Sequence, residues 1–266
     1  FGSRLMSASV LPHGIRHFSR PLVNGQRFGG MPIGKVHGVV FDLDDTLWNC
    51  KENLAAAQEA MRLEMAGAFP ELAEKFLVFE SWIAEMKATM ADNVERKHDF
   101  TFVRTKTLER LTGSATVAEE LMGSWMRKRN SPDFFPGALD ALRSLRESGL
   151  LIGTLTDGNA DPRCIEGLRD VVDFCVSSVE AGAEKPDRRT FSLCEAKSRL
   201  LPEQLVMVGD NIGKDVMGAK AAGWRAIWVV PPRDGVAGSA HDLSSSGVAL
   251  TAEASREAAD ATIESV

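Results

Sequence analysis

Asp42 and Asp44 stand two residues apart at the end of a short apolar run, Val36, Val39, Val40 and Phe41. In extended backbone, side chains at i and i+2 point the same way, so both carboxylates project together beyond a strand's carboxyl end. That end of an open α/β sheet is where ligands bind. Two carboxylates this close repel one another, which predicts a raised pKa for one of them. The pair then offers an ionised nucleophile beside a general acid. A solvated acidic turn is the alternative reading of the same segment.

Three more fragments carry chemistry of a related kind. Thr154-Leu155-Thr156-Asp157-Gly158-Asn159 follows a second apolar run. The Thr156 hydroxyl and the backbone N–H groups around Asp157 and Gly158 suit a phosphate oxygen, although Thr-Asp-Gly is also a common turn. In Glu184-Lys185-Pro186-Asp187, a lysine just before a helix start would set its ammonium beside the same anion pocket. Read alone, Lys185 is equally an ordinary surface charge. Val208-Gly209-Asp210-Asn211-Ile212-Gly213-Lys214-Asp215 delivers Asp210 to a strand tip, with Asp215 five residues on. A few hard oxygen ligands are what Mg²⁺ prefers, so Asp42, Asp210 and a nearby backbone carbonyl would suffice. Asp215 also fits a helix N-cap.

The elements that must position these residues read as an α/β fold. Apolar runs at Leu150–Leu155, Leu205–Val208 and Ala226–Val230, with a weaker one at Val171–Val176, resemble the first. Helical periods separate them, for example Leu139, Leu142 and Leu145 between Pro136-Gly137 and Gly149. This alternation predicts a Rossmann-like, doubly wound parallel sheet with helices on both faces. Between Trp48 and Asp133 the pattern is helical only, over about 50–67, 71–91, 100–112 and 116–129, with Thr116 and Glu119 placed as a capping box. The expected organisation is a basic leader (1–34), a core from 35–47 and 131–235, and an inserted helical domain (48–130). A low-complexity tail (236–266) follows, with a final helix from about Ala252.

Composition narrows the function classes. The net charge is −6, which argues against a protein that wraps a nucleic-acid backbone. No apolar run approaches the roughly 18 residues of a membrane span. Cys50, Cys164, Cys175 and Cys194 contain no C-x-x-C pair and read as reduced thiols. There is no tyrosine, so no step depends on a phenol. Residues 1–41 hold Arg4, Arg16, Arg20, Arg27 and Lys35 and no acid, a local +5; the rest of the chain then carries −11. An Arg- and Ser-rich, acid-free leader reads as a chloroplast or mitochondrial transit peptide, or else as a disordered basic tail or a cloning remnant.

The four fragments in this order resemble the haloacid dehalogenase-like hydrolases, over about Val36 to Val230. DLDDT, TDGN, EKP and GDNIGKD stand as the family's four motifs, and the helical insert looks like its C1-type cap. The resemblance implies a phosphoaspartyl mechanism on a small soluble phosphomonoester. Asp42 attacks phosphorus, Asp44 protonates the leaving oxygen and later activates water, and Thr156, Asp157, Gly158 and Lys185 surround the phosphoryl group. It implies Mg²⁺ on Asp42, the Asp44 carbonyl and Asp210, with Asp215 in support. Asp44 and Asp210 speak for the phosphatase branch over the dehalogenases. A sugar-phosphate phosphomutase and a catalytically silent binding module stay as alternatives. In the insert, Arg96, Lys97, His98, Arg104 and Lys106 read as a solvated helix face, and Arg127-Lys128-Arg129 as surface. Trp82, Phe100 and Phe102 read as insert core, and Arg163 as a rim contact.

Overall fold

The structure, a computed structural model, describes residues 36–230 and 259–264 together with 27–28 and 31–32. Strands β1 (Arg27–Phe28) and β2 (Met31–Pro32) pair antiparallel, which corrects the expectation of a leader disordered throughout. The sequence between them is Gly-Gly, the composition that a two-residue hairpin favours. The rest of the leader, and with it the transit-peptide reading, lies outside the described residues.

Strand β3 (Gly38–Phe41) is buried at every position, as a strand covered on both faces must be. It sits centrally in a six-stranded parallel sheet ordered β5-β4-β3-β6-β7-β8. Its neighbours are β4 (Leu151–Thr156) and β6 (Leu205–Gly209); β5 (Phe174–Ser177) and β7 (Arg225–Val230) lie outside them. Alternation along β3 sorts its side chains between the two faces. Val39 and Phe41 pack with Leu142 of α6 (Ala138–Glu147), on one side. Val40 packs on the other with Phe191 and Cys194 of α8 (Arg188–Ser198). Burying each such aliphatic side chain contributes about 1.5–3 kcal/mol relative to leaving it in water. The fold is therefore the doubly wound α/β arrangement that the pattern predicts.

The chain's last described segment differs from expectation. Ala261–Glu264 forms β8, parallel to β7, where a final helix was expected; residues 252–258 lie outside the described residues. An unpaired β7 edge would leave a row of backbone groups without partners, and β8 satisfies them. Asp260 fixes the register. Its carboxylate accepts from Ala226 N (2.9 Å) and from Lys220 Nζ (2.8 Å).

Between β3 and α6 the chain is helical: α1 (Cys50–Met65), α2 (Pro70–Lys75), α3 (Phe79–Asp92), α4 (Phe100–Thr112) and α5 (Ala115–Arg129). These helices bury a cluster of their own, including Met61, Trp82, Leu108 and Trp125. The single helix expected over 71–91 is broken at 76–78. Phe76-Leu77-Val78-Phe79 is apolar at every position, so one continuous helix face could not bury all of it. The break seats Phe76 edge-on to Trp82 at 5.3 Å and leaves Leu77 and Val78 exposed. The Thr116–Glu119 capping box is also corrected. Ser114 is the N-cap of α5 and accepts from Val117 N, because Thr116 is already inside the helix.

Candidate active site

Parallel register brings the chemically interesting residues together. Phe41 pairs with Thr154 on one side and Val208 on the other, so the tips of β3, β4 and β6 end side by side. Asp42 continues β3 for one step, donating its N–H to Val208 O at 2.9 Å. Asp42, Asp44, Thr156, Asp157, Gly158, Lys185 and Asp210 line one cleft of roughly 370 Å³, on the scale of a small-molecule site. Asp215 lies behind it, fully buried at the start of a π-helical turn (Ile212–Met217) that the sequence pattern did not predict. Asp45, Asn211 and Lys214 also line the cleft and were not singled out by sequence reasoning. Lys214 reaches Asp157 Oδ2 at 3.1 Å.

Lys185 is the hub of the site. Its backbone N–H donates to Asp157 Oδ1 (2.9 Å), which fixes where the side chain starts. Its ammonium, 4% exposed, lies 2.8 Å from Asp42 Oδ1 and 2.7 Å from Asp215 Oδ1. Asp215 and Asp42 hold Lys185 protonated, well above the ordinary lysine range, against the opposing cost of burial. The surface-charge alternative for Lys185 is thereby removed.

Three carboxylates, from Asp42, Asp210 and Asp215, each place an oxygen within 4.8 Å of the others. One lysine does not neutralise three acids. Burial, with Asp215 and the other nearby acids adding to it, pushes the Asp210 carboxyl well above its usual range. The Asp42 carboxyl is raised to about 7, chiefly by burial, with Lys185 opposing and Asp215 assisting. Repulsion from Asp44 is a minor cause of that rise. This corrects the expectation that the Asp42–Asp44 contact sets it. An all-oxygen donor set with excess negative charge fits a hard divalent cation, which would relieve that excess. Around the carboxylates, Asp210 N donates to Thr46 Oγ1 (3.1 Å) and Trp228 Nε1 donates to Asp210 O (2.9 Å). Asn211 N donates to Asp215 Oδ2 at 3.0 Å. Gly158 N donates to Thr156 Oγ1 (2.9 Å), so the Thr156 hydroxyl proton is free to face an anion.

Asp44 faces the other way, toward the helices. Trp48 Nε1 donates to Asp44 Oδ1 (2.9 Å) and Arg129 Nη2 donates to Oδ2 (2.5 Å). Arg129 is wholly buried, and its Nη1 donates to Asn53 of α1. The surface reading of Arg129 was therefore wrong. In a run of three basic residues at a helix end, only the one on the buried face turns inward, and it does so because two acceptors await it. The missed signal was the helical phase: Arg129 lies four residues after Trp125, on the same face.

Other residues fall outside the cleft. Arg163 is exposed and pairs with Asp161 (2.8 Å), away from the rim. Arg96 and Lys106 are exposed and pair with Asp99 and Glu109, as a solvated face would. Arg104, expected on that face, is buried at 6% exposure over the Trp125 ring. Among the described residues, no helix is long and apolar enough to cross a membrane.

Residues 36–223 match a family described as haloacid dehalogenase-like hydrolase. A phosphoserine phosphatase of Thermus thermophilus is 36% identical over 128 residues, which are 47% of this chain and 51% of that enzyme. The match thus spans only about half of its length. A 5-amino-6-(5-phospho-D-ribitylamino)uracil phosphatase of Escherichia coli is 26% identical over 208 residues, covering 75% of this chain and 86% of the relative. Among solved structures, a 2-haloacid dehalogenase of Pseudomonas syringae superposes with a TM-score of 0.67 at 28% identity. That likeness covers 86% of this chain and 94% of the dehalogenase.

Proposed function

The chain belongs to the haloacid dehalogenase-like hydrolases, and from that premise we propose that it is a Mg²⁺-dependent phosphatase of a small phosphomonoester, acting through a phosphoaspartyl group on Asp42. The observation that carries this reading is Lys185 Nζ at 2.8 Å from Asp42 Oδ1, within a ring of three carboxylates. A buried ammonium touching the nucleophile is where phosphoryl oxygens need positive charge. The phosphatase names of the relatives support the same chemistry. Against a dehalogenase stand Asp44, which supplies a proton that a departing halide does not need, and the acidic Asp210.

An Asp42 carboxylate oxygen attacks phosphorus as the bond to the leaving oxygen breaks. Asp44, protonated, delivers its proton to that oxygen, and the alcohol departs. The resulting Asp44 carboxylate takes a proton from a water molecule, which attacks the phosphoaspartate and returns Asp42 with free phosphate. Lys185, the Thr156 hydroxyl and backbone N–H groups near Gly158 hold the phosphoryl oxygens throughout. Asp42, Asp210 and the Asp44 carbonyl, with Asp215 behind, would hold Mg²⁺, which when bound neutralises charge on the phosphoryl group. The five-helix block acts as the cap, of C1 type, that closes over the cleft and selects the leaving group.

The test is release of inorganic phosphate from p-nitrophenyl phosphate, with Mg²⁺ and with chelator, for the wild type and Asp42→Asn. Turnover that needs both Mg²⁺ and Asp42 is the expected result. Equal rates without metal, or an undiminished Asp42→Asn, would discard the reading.

A further inference from the structure

Two guanidinium groups are buried in the helical block beside the cleft, and they are not equivalent. Arg129 is satisfied by Asp44 and Asn53. Arg104 of α4 is not. It stacks over Trp125 (4.1 Å) and approaches the Trp82 ring (5.9 Å), yet its Nε and Nη1 have no hydrogen-bond partner. Among the described residues no carboxylate forms an ion pair with it. Burial, and then repulsion from Arg129, lower its pKa to about 9. A buried cation without a counter-charge is costly to keep, so its retention needs a reason other than stability.

The surrounding atoms point to what is missing. Within the helical block seven buried side-chain N or O atoms lack partners, and six of them are donors. These are Nε2 of Gln58, Nε1 of Trp82 and Trp125, Nε and Nη1 of Arg104, and Nε of Arg129; the only acceptor is Oε1 of Gln58. A cluster short of acceptors and carrying one unpaired positive charge calls for an acceptor-rich anion. Its location ties it to the reaction. Arg104 interacts with Cys50 and Arg129, and both of these interact with Asp44. The oxygen that Asp44 protonates belongs to the leaving group, so whatever that oxygen carries extends from Asp44 toward Arg129 and Arg104.

We propose that Arg104, with the donors around it, binds a carboxylate on the leaving group, making the substrate a phosphomonoester of a hydroxy acid. This deepens the phosphatase reading and rests on it. The single uncompensated charge matches a monoanion better than a phosphate dianion, because Arg129 is already paired with Asp44.

The experiment compares kcat/KM for ω-carboxyalkyl phosphates of one to three methylenes with the matched ω-hydroxyalkyl phosphates and α,ω-alkane bisphosphates. The wild type is expected to prefer the carboxylate at one chain length by about tenfold or more, the scale of a charge-assisted contact. Arg104→Met should erase the preference and Arg104→Lys should keep part of it. No preference at any length, a preference for the bisphosphate, or a preference that survives Arg104→Met overturns the assignment. If Arg104→Met does not fold, Arg104→Lys and Arg104→Gln carry the same comparison. Turnover of p-nitrophenyl phosphate separates the two readings. Should no ester be hydrolysed, the phosphatase reading fails, and tryptophan fluorescence of the wild type titrated with the same compounds decides the subsite. Saturable binding that favours the carboxylate and is lost in Arg104→Met supports it; its absence overturns it.

Discussion

Arg129 Nη2 lies 2.5 Å from Asp44 Oδ2, joining the last residue of α5 to a residue two places beyond Asp42. The orientation of the proposed acid is thus set from the helical block and not from the sheet. Asp44 must turn from Arg129 toward the leaving oxygen to deliver a proton, so the position of the block and the readiness of the acid are linked. Replacing Arg129 by Met is expected to lower kcat by about 10- to 100-fold, within what a general acid contributes, with a smaller change in KM. Arg129→Lys should recover only part, because an ammonium cannot fork to both Asn53 and Asp44. Steady-state kinetics below the melting transition check this, and a kcat equal to wild type in Arg129→Met would remove the link.

Titration of the carboxylate cluster gives a pH prediction with a definite sign. Asp42 is raised in the folded state from 3.8 to about 7, and Asp210 moves in the same direction. The folded protein therefore holds more protons than the unfolded chain between about pH 4 and pH 7. Stability from these groups is fully present below the unfolded pKa and is lost as pH rises through the folded one. In chelator, the melting temperature should fall from about pH 5 to pH 8. Added Mg²⁺ should raise it, and by more at pH 8 than at pH 5, because the ion competes with protons for the same oxygens. Thermal unfolding at several pH values with and without Mg²⁺ measures both trends; a Mg²⁺ increment that does not grow with pH would speak against a metal on these acids.

Lys185 offers the reciprocal test. It is the buried cation in contact with both Asp42 and Asp215. Lys185→Met removes one partner of a buried ion network and leaves the carboxylates facing one another. The expected loss is about 3–5 kcal/mol in chelator, read by denaturant unfolding. Mg²⁺ should restore part of that stability but not turnover, since the phosphoryl oxygens lose their ammonium. A variant as stable as wild type in chelator would mean that Lys185 does not balance these charges.

What sequence made legible, and what it did not, divides by the range of the interaction. The tips of β3, β4 and β6 were readable because a buried parallel strand ends where its apolar run ends, and the residue after it must face the cleft. Asp42, Thr156 and Asp210 follow from that local rule. Arg129 and Arg104 do not, because a basic residue on an amphipathic helix faces water unless a distant acceptor or ring redirects it. Asp44 lies 85 positions from Arg129, and no local pattern announces such a pairing. The end of the chain misled for the same reason. Ala- and Ser-rich residues after Ala252 carry a helical pattern, but the free edge of β7, more than 30 residues upstream, makes Ala261–Glu264 a strand.

Gly158 allows the geometry around Asp44 to be tested without removing any reactive group. A Cβ at this position would lie 2.6 Å from Asp44 Oδ2, and 3.2 Å from both Arg129 Nη2 and Thr156 Oγ1. None of the three yields easily. Asp44 is held by Trp48 and Arg129, Arg129 is held by Asn53, and Thr156 accepts from the Gly158 N–H itself. The added methyl must therefore move Asp44 away from the cleft or push the phosphate-binding turn outward. A displacement of this size in a positioned acid costs on the order of 100-fold in rate. Gly158→Ala is thus expected to lose about 100-fold in kcat with all four motif side chains intact, and to keep a cooperative melting transition. Gly167→Ala serves as a comparison: its added Cβ would meet the Leu139 side chain at 2.8 Å, outside the cleft, in a left-handed backbone that strains the new residue. It should lose stability and retain kcat. Phosphate release and thermal unfolding on the two variants separate these outcomes, and a Gly158→Ala enzyme with wild-type kcat would show that Asp44 acts from a position other than the one it holds against Arg129.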